Sequence, residues 1–140
     1  MLEIEYYPFD TLQNDQLTFA VIGARYRDKW VFCRHRERAT YEMPGGHREP
    51  GEDVNDTARR ELYEETGAVD FIITPVCLYS VTMKGETRYG GLFFAEIHEL
   101  GELPQSEIAD VFLMDTMPEN LTYPRIQPYL LARVKKSIGE

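Results

Sequence analysis

Between residues 39 and 53 the chain reads ATYEMPGGHREPGED, and from Val54 it changes character to VNDTARRELYEETG. Pro44, Gly45, Gly46, Pro50 and Gly51 make the first stretch a loop. The second predicts a helix over 54–66, capped by Asp53 or Asn55 and ended by Gly67. That helix carries Glu61, Glu64 and Glu65 at i, i+3 and i+4, where like charges are neighbours and repel by roughly 0.2–0.5 kcal/mol per pair. At ~100° per residue, with Glu61 at zero, Glu64 and Glu65 fall near −60° and +40°. Val54, Ala58 and Leu62 fall at roughly 20°, 60° and 100° on the same wheel. A solvated acidic face would be centred opposite that apolar stripe; these acids overlap its edge. Any fold that buries the stripe therefore sets carboxylates along the margin of a cleft, where unpaired charge is costly and a cation is expected.

The ligand chemistry narrows the cation. Oxygen donors on a helix, with neither His nor Cys among them, suit a hard divalent ion, Mg²⁺ or Mn²⁺, rather than zinc. Mg²⁺ keeps several waters and usually meets phosphate oxygens as it binds, and the Gly45-Gly46 backbone allows a ligand to come close. The residues alone thus read as a metal-and-phosphate site.

The rest of the chain supplies a frame for it. LTFAVIGARY (17–26) and KWVFCRHR (29–36) predict an antiparallel hairpin turning at Arg27-Asp28. Residues 69–83 and 88–100 predict two more strands, and residues 110–115 a short one. From Arg125 onward, Ile126, Leu130, Leu131, Val134 and Ile138 recur at helical spacing, with Lys135 and Lys136 near the end where the helix dipole favours them. The expected class is α+β, a mixed sheet with a helix on each side, in one domain of 140 residues. A net charge of −9 argues against a stable nucleic-acid complex held by bulk electrostatics. Cys33 and Cys77 sit in strand-like stretches without zinc or redox spacing and read as core thiols of a cytoplasmic protein. No basic start followed by an apolar run marks a signal peptide, and no window approaches the ~20 apolar residues of a membrane span.

The segment GHREPGEDVNDTARRELYEETGA, beginning at Gly46, resembles the Nudix box of the Nudix hydrolases at each fixed position: Gly46, Glu52, Arg60-Glu61-Leu62, Glu64-Glu65 and Gly67, with Ala68 in the last apolar slot. The resemblance implies a single Nudix domain over residues 1–140, folded as an α/β/α sandwich with a mixed sheet between helices. It implies hydrolysis of a nucleoside diphosphate linked to some group X, by water attack on phosphorus with a divalent metal. Carried over by position, Glu64 and Glu65 are the principal metal ligands, helped by the Gly45 carbonyl. Glu61 is a further ligand or the base, Arg60 holds a glutamate in place, and Glu52 supports the loop–helix junction or an outer metal. Glu107 matches an acid that family members often bring from a later loop.

Outside the box, the short chain, YEMPGG and MPENLTYPRIQPYL look like MutT-type nucleoside triphosphate diphosphatases, including those acting on 8-oxo-dGTP. On that reading Arg34 or Arg36 meets phosphate oxygens, Gly46 lets the substrate approach, and Asn120 or Tyr123 contacts the base. Tyr6, Tyr7 and Phe9 are expected in packing or a dimer contact, so monomer and homodimer both stay open. The alternatives are another Nudix substrate, such as ADP-ribose, a dinucleoside polyphosphate or an RNA 5′-pyrophosphate, or a nucleotide-binding module without turnover.

Overall fold

A computed structural model describes residues 2–105 and 107–140. In chain order the elements are β1 (Glu3–Tyr7), a single 3-10 turn (Asn14–Gln16), β2 (Phe19–Tyr26), β3 (Lys29–His35), β4 (Gly45–His47), α1 (Val54–Thr66), β5 (Ala68–Met83), β6 (Glu86–Leu100), β7 (Ile108–Met114) and α2 (Gln127–Ser137). The strands form one mixed sheet in the order β1-β5-β6-β2-β3-β7, with β4 added against β2. β2 and β6 run parallel, from Phe19 opposite Gly90 to Tyr26 opposite Ile97. The remaining neighbours are antiparallel. Arg27 and Asp28 turn the β2–β3 hairpin with φ of 50° and 65°, the left-handed pair that matches the twist of two joined strands.

Both helices cover the sheet, one on each face. On one side Val54, Ala58 and Leu62 of α1 pack on Ile22, Leu78 and Phe93. On the other, Leu130, Leu131 and Val134 of α2 pack on Trp30, Phe32 and Leu92. Truncating a fully buried side chain such as Leu62 to alanine costs about 2–5 kcal/mol. No helix of the described residues is long and apolar enough to cross a membrane.

Two strands lie outside the sequence expectation. β1 pairs Glu3–Tyr7 with Leu78–Thr82 of β5; its EIEYY pattern is short and carries two acids in five residues, and the pairing is supplied by β5. β4 lies inside the stretch expected to be loop, pairing Gly45, Gly46 and His47 with Val21, Ala20 and Phe19. Glycine has low strand propensity, so only the presence of β2 makes this segment a strand. The consequence is functional, because β4 is pinned to the sheet directly before α1 begins. Asp53 caps α1 by accepting the Asn55 N–H at 2.8 Å, and Asn14 Oδ1 accepts the Val54 N–H at 2.9 Å. Gly67, with φ of 79°, ends it in the conformation that a side chain disfavours.

Candidate active site

The α1 acids line up along β4 as their wheel positions require. The side chains of Glu65, Glu61 and Glu64 are 10%, 12% and 44% exposed, the order of their angular distance from the apolar stripe. Glu65 Oε1 accepts the Gly45 N–H at 2.9 Å. Its other oxygen lies 3.5 Å from His35 Nε2. The Glu61 carboxylate lies over Gly46, where an added Cβ would collide with it. Burial, with Glu61 and Glu42 as like-charged neighbours, pushes the Glu65 carboxyl up to about 8 against the opposing Gly45 N–H. Burial likewise raises Glu61 to about 7, although Arg60 beside it pulls the other way.

Arg60 balances the rest of the cluster. Its guanidinium donates to both oxygens of Glu52 at 2.9 and 3.0 Å, to Glu61 at 2.7 Å and to Glu64 at 3.1 Å. It also donates to the His47 carbonyl at 3.0 Å. The Glu52 carboxyl is held down to about 2, chiefly by Arg60 and further by the Glu49 N–H and the Thr57 hydroxyl. Among the described residues no three His, Cys, Asp or Glu groups already converge on one metal position. Arg60 draws Glu61 and Glu64 to one side while Gly45 holds Glu65 at the other. The donor set nevertheless fits a hard divalent cation: it is carboxylate oxygen, it is partly buried, and two of its members lack enough positive charge to stay at ordinary acidity.

Glu61 and Glu65 form part of the wall of a cavity of about 1050 Å³. His35, Glu42, Glu61 and Glu65 line the polar side, and Phe19, Val21, Tyr79, Ile126 and Leu130 the apolar side. Arg38 stands between them, donating to Glu42 at 2.7 Å, and the neighbouring Tyr123 and Glu42 raise its already high pKa.

Of the residues marked from sequence, Gly45, Gly46, Arg60, Glu61, Glu65, Glu107 and Tyr123 line this cavity. Glu107 stands at its mouth, 3.8 Å from His35 Nδ1. Glu64 and Glu52 are not part of the lining and connect to it through Arg60. Arg34 and Arg36 do not line it either. Arg34 instead pairs with Asp110 across the β3–β7 ladder, and His35, next to an irregularity in that ladder, lines the cavity. The backbone N–H of Arg36 donates to the Glu107 carbonyl at 2.7 Å. Asn120 also lies off the cavity: its side-chain NH₂ donates to the Ala39 carbonyl at 2.9 Å, and its backbone carbonyl accepts the Tyr41 N–H at 2.8 Å. It therefore ties two loops together. Arg38, Glu42 and Gln127 also line the cavity and lie outside the residues expected from sequence.

The pattern of a NUDIX domain matches residues 15–128 of the chain. A Bacillus subtilis protein provisionally described as 8-oxo-dGTP diphosphatase YtkD is 34% identical over 99 residues, which are 70% of this chain and 62% of that relative. Among solved structures, a mutant of the Bacillus subtilis pyrophosphohydrolase BsRppH superposes with a TM-score of 0.79 at 26% identity, covering 96% of this chain and 90% of that one. A UDP-X diphosphatase superposes with a TM-score of 0.71 at 20% identity, covering 91% and 66% respectively.

Proposed function

The chain belongs to the Nudix family, and on that premise we propose that it hydrolyses a nucleoside triphosphate, such as 8-oxo-dGTP, to the monophosphate and pyrophosphate. The observation that carries this reading is the continuity of one cavity: buried carboxylates on one wall, and on the other an apolar surface of the size and character that accepts a base. Glu61, Glu64 and Glu65, with the Gly45 carbonyl and Glu107, would hold Mg²⁺ or Mn²⁺. When bound, the cation neutralises phosphate oxygens and acidifies a coordinated water. Glu61 takes the proton as the water oxygen bonds to phosphorus, and the bond to the bridging oxygen breaks as pyrophosphate leaves. Arg60 keeps the glutamates from dispersing between turnovers, while Arg38 and Tyr123 orient the triphosphate at the cavity mouth. The resemblance to YtkD supports the choice of 8-oxo-dGTP, and that to BsRppH supports a pyrophosphohydrolase more broadly.

A second reading, removal of pyrophosphate from a triphosphorylated RNA 5′ end, draws on the cavity itself. Its volume lies at the upper limit of the about 300–1,000 Å³ usual for small-molecule sites, and Lys84 and Arg88 line its far rim. The deciding experiment is Mg²⁺-dependent hydrolysis, followed by identification of the products, over 8-oxo-dGTP, ordinary dNTPs and NTPs, ADP-ribose, diadenosine polyphosphate and triphosphorylated RNA, ranked by kcat/KM. Preference for 8-oxo-dGTP supports the first reading and preference for RNA the second. Tight nucleotide binding with no turnover of any would mean a binding module.

A further inference from the structure

Gln127 opens α2 on the face that packs against the sheet, and it is only 5% exposed. Its Oε1 accepts the Met43 N–H at 2.7 Å. Because a backbone N–H can only donate, that bond fixes which end of the amide is oxygen and aims the NH₂ the other way. No hydrogen bond from that NH₂ is found among the described residues. Nor is it sealed in the core, since Arg25 Nε is the buried unpartnered side-chain atom found among them. Gln127 lines the cavity beside Phe19, Tyr79, Ile126 and Leu130. The apolar wall thus holds one immobilised amide whose donors meet the cavity. Met43 is also two residues from Gly45, so the bond that orients the amide ties it to the segment reaching Glu65.

We infer that Gln127 is the base-reading residue of this site and that it selects a guanine-type purine over adenine. At its 6-position guanine, in its ordinary and its 8-oxo form alike, presents the acceptor O6, whereas adenine presents the donor N6 amine. An NH₂ group pairs with O6 and confronts the N6 amine with donor against donor. The inference rests on the nucleotide-hydrolase reading above and adds to it the residue that discriminates the base.

The test compares kcat/KM for GTP and ATP in the wild type, Gln127→Glu and Gln127→Met, at alkaline pH where an introduced carboxyl is ionised. The wild type should favour GTP by about tenfold or more, the usual worth of one good base contact. Gln127→Glu keeps an oxygen for the Met43 N–H and puts an acceptor where the NH₂ was, so the GTP:ATP ratio should fall about tenfold or more. Gln127→Met removes the donor together with the oxygen that accepts the Met43 N–H; the ratio should fall mainly through GTP, whereas the loss of the Met43 bond by itself would lower both activities equally. A wild type without guanine preference, or variants that lose both activities equally with an unchanged ratio, would overturn the assignment and leave a structural amide. Should the wild type hydrolyse no member of the substrate panel above, the hydrolase reading fails separately. The GTP:ATP ratio of dissociation constants for wild type and variants then decides on Gln127 by the same criteria.

Discussion

α1 and α2 each place a polar side chain on a stripe that packs against the sheet, and the two are treated very differently. α1 carries Glu65, a carboxyl with one backbone donor and acidic neighbours. α2 carries Gln127, a neutral amide whose oxygen is satisfied. A buried charge short of counter-charge is expensive and invites a cation, whereas a half-satisfied amide costs little and offers direction. The same sheet thus supports chemistry on one face and recognition on the other, and the difference lies in one formal charge.

The largest effect should come from removing that charge. Glu65→Gln should lower turnover about 10³-fold or more, the usual scale for losing a group that stabilises transition-state charge, while metal-free Tm holds or rises. Glu64→Gln should cut turnover by orders of magnitude too but leave Tm unmoved, because Glu64 is half-exposed and pays no comparable burial penalty. Wild-type turnover in Glu65→Gln would end the claim that the α1 face does the chemistry. Next in size, Arg60→Ala frees Glu52, Glu61 and Glu64 at once. An outer partner of this kind is worth about 10–100-fold in metal affinity or activity. If Mg²⁺ titration of the variant gives an unchanged midpoint and rate, Arg60 is only a surface ion pair.

A third expectation separates the faces by pH. Glu65 and Glu61 are raised from 4.5 to about 8 and about 7, so between those limits the folded chain holds protons that the unfolded chain has released. Stability from these groups is therefore complete below 4.5 and is lost as pH rises towards 8. Glu52, lowered to about 2, acts in the opposite sense and loses its contribution as pH falls below 4.5. Metal-free Tm should decline from weakly acidic to weakly alkaline pH, less steeply in Glu65→Gln, while Gln127→Met keeps the wild-type slope. A flat profile for the wild type would show that the acids are solvated.

The α1 face was open to sequence reading because periodicity and chemistry coincide there. A helical wheel orders Glu65, Glu61 and Glu64 by burial, and the structure keeps that order. Arg34 lies off the cavity and pairs with Asp110 of β7, and strand alternation alone shows neither that partner nor the irregularity beside His35. β4 was invisible because its glycines become a strand only when β2 is beside them. Gln127 did carry a signal. It precedes Leu130, Leu131 and Val134 by three, four and seven residues, so a polar side chain stood on a core stripe, where it must find a partner.

The smallest effect tests the recognition side from the opposite direction. Asn120, which the sequence offers beside Tyr123 as a base contact, makes hydrogen bonds that join residues 39–41 to the loop before α2. Asn120→Ala removes one exposed side-chain bond, so stability should fall by about 0.5–1.5 kcal/mol, seen as a Tm lower by a few degrees. Arg38 and Tyr123 flank that junction, and loosening it should raise KM for GTP and ATP together. The ratio between the two nucleotides should stay at its wild-type value, because the loss is one of loop order and not of a base contact. A shift in that ratio as large as the one expected for Gln127→Glu would move base reading from the α2 face to the loop, and the division of labour between the two faces would fail with it.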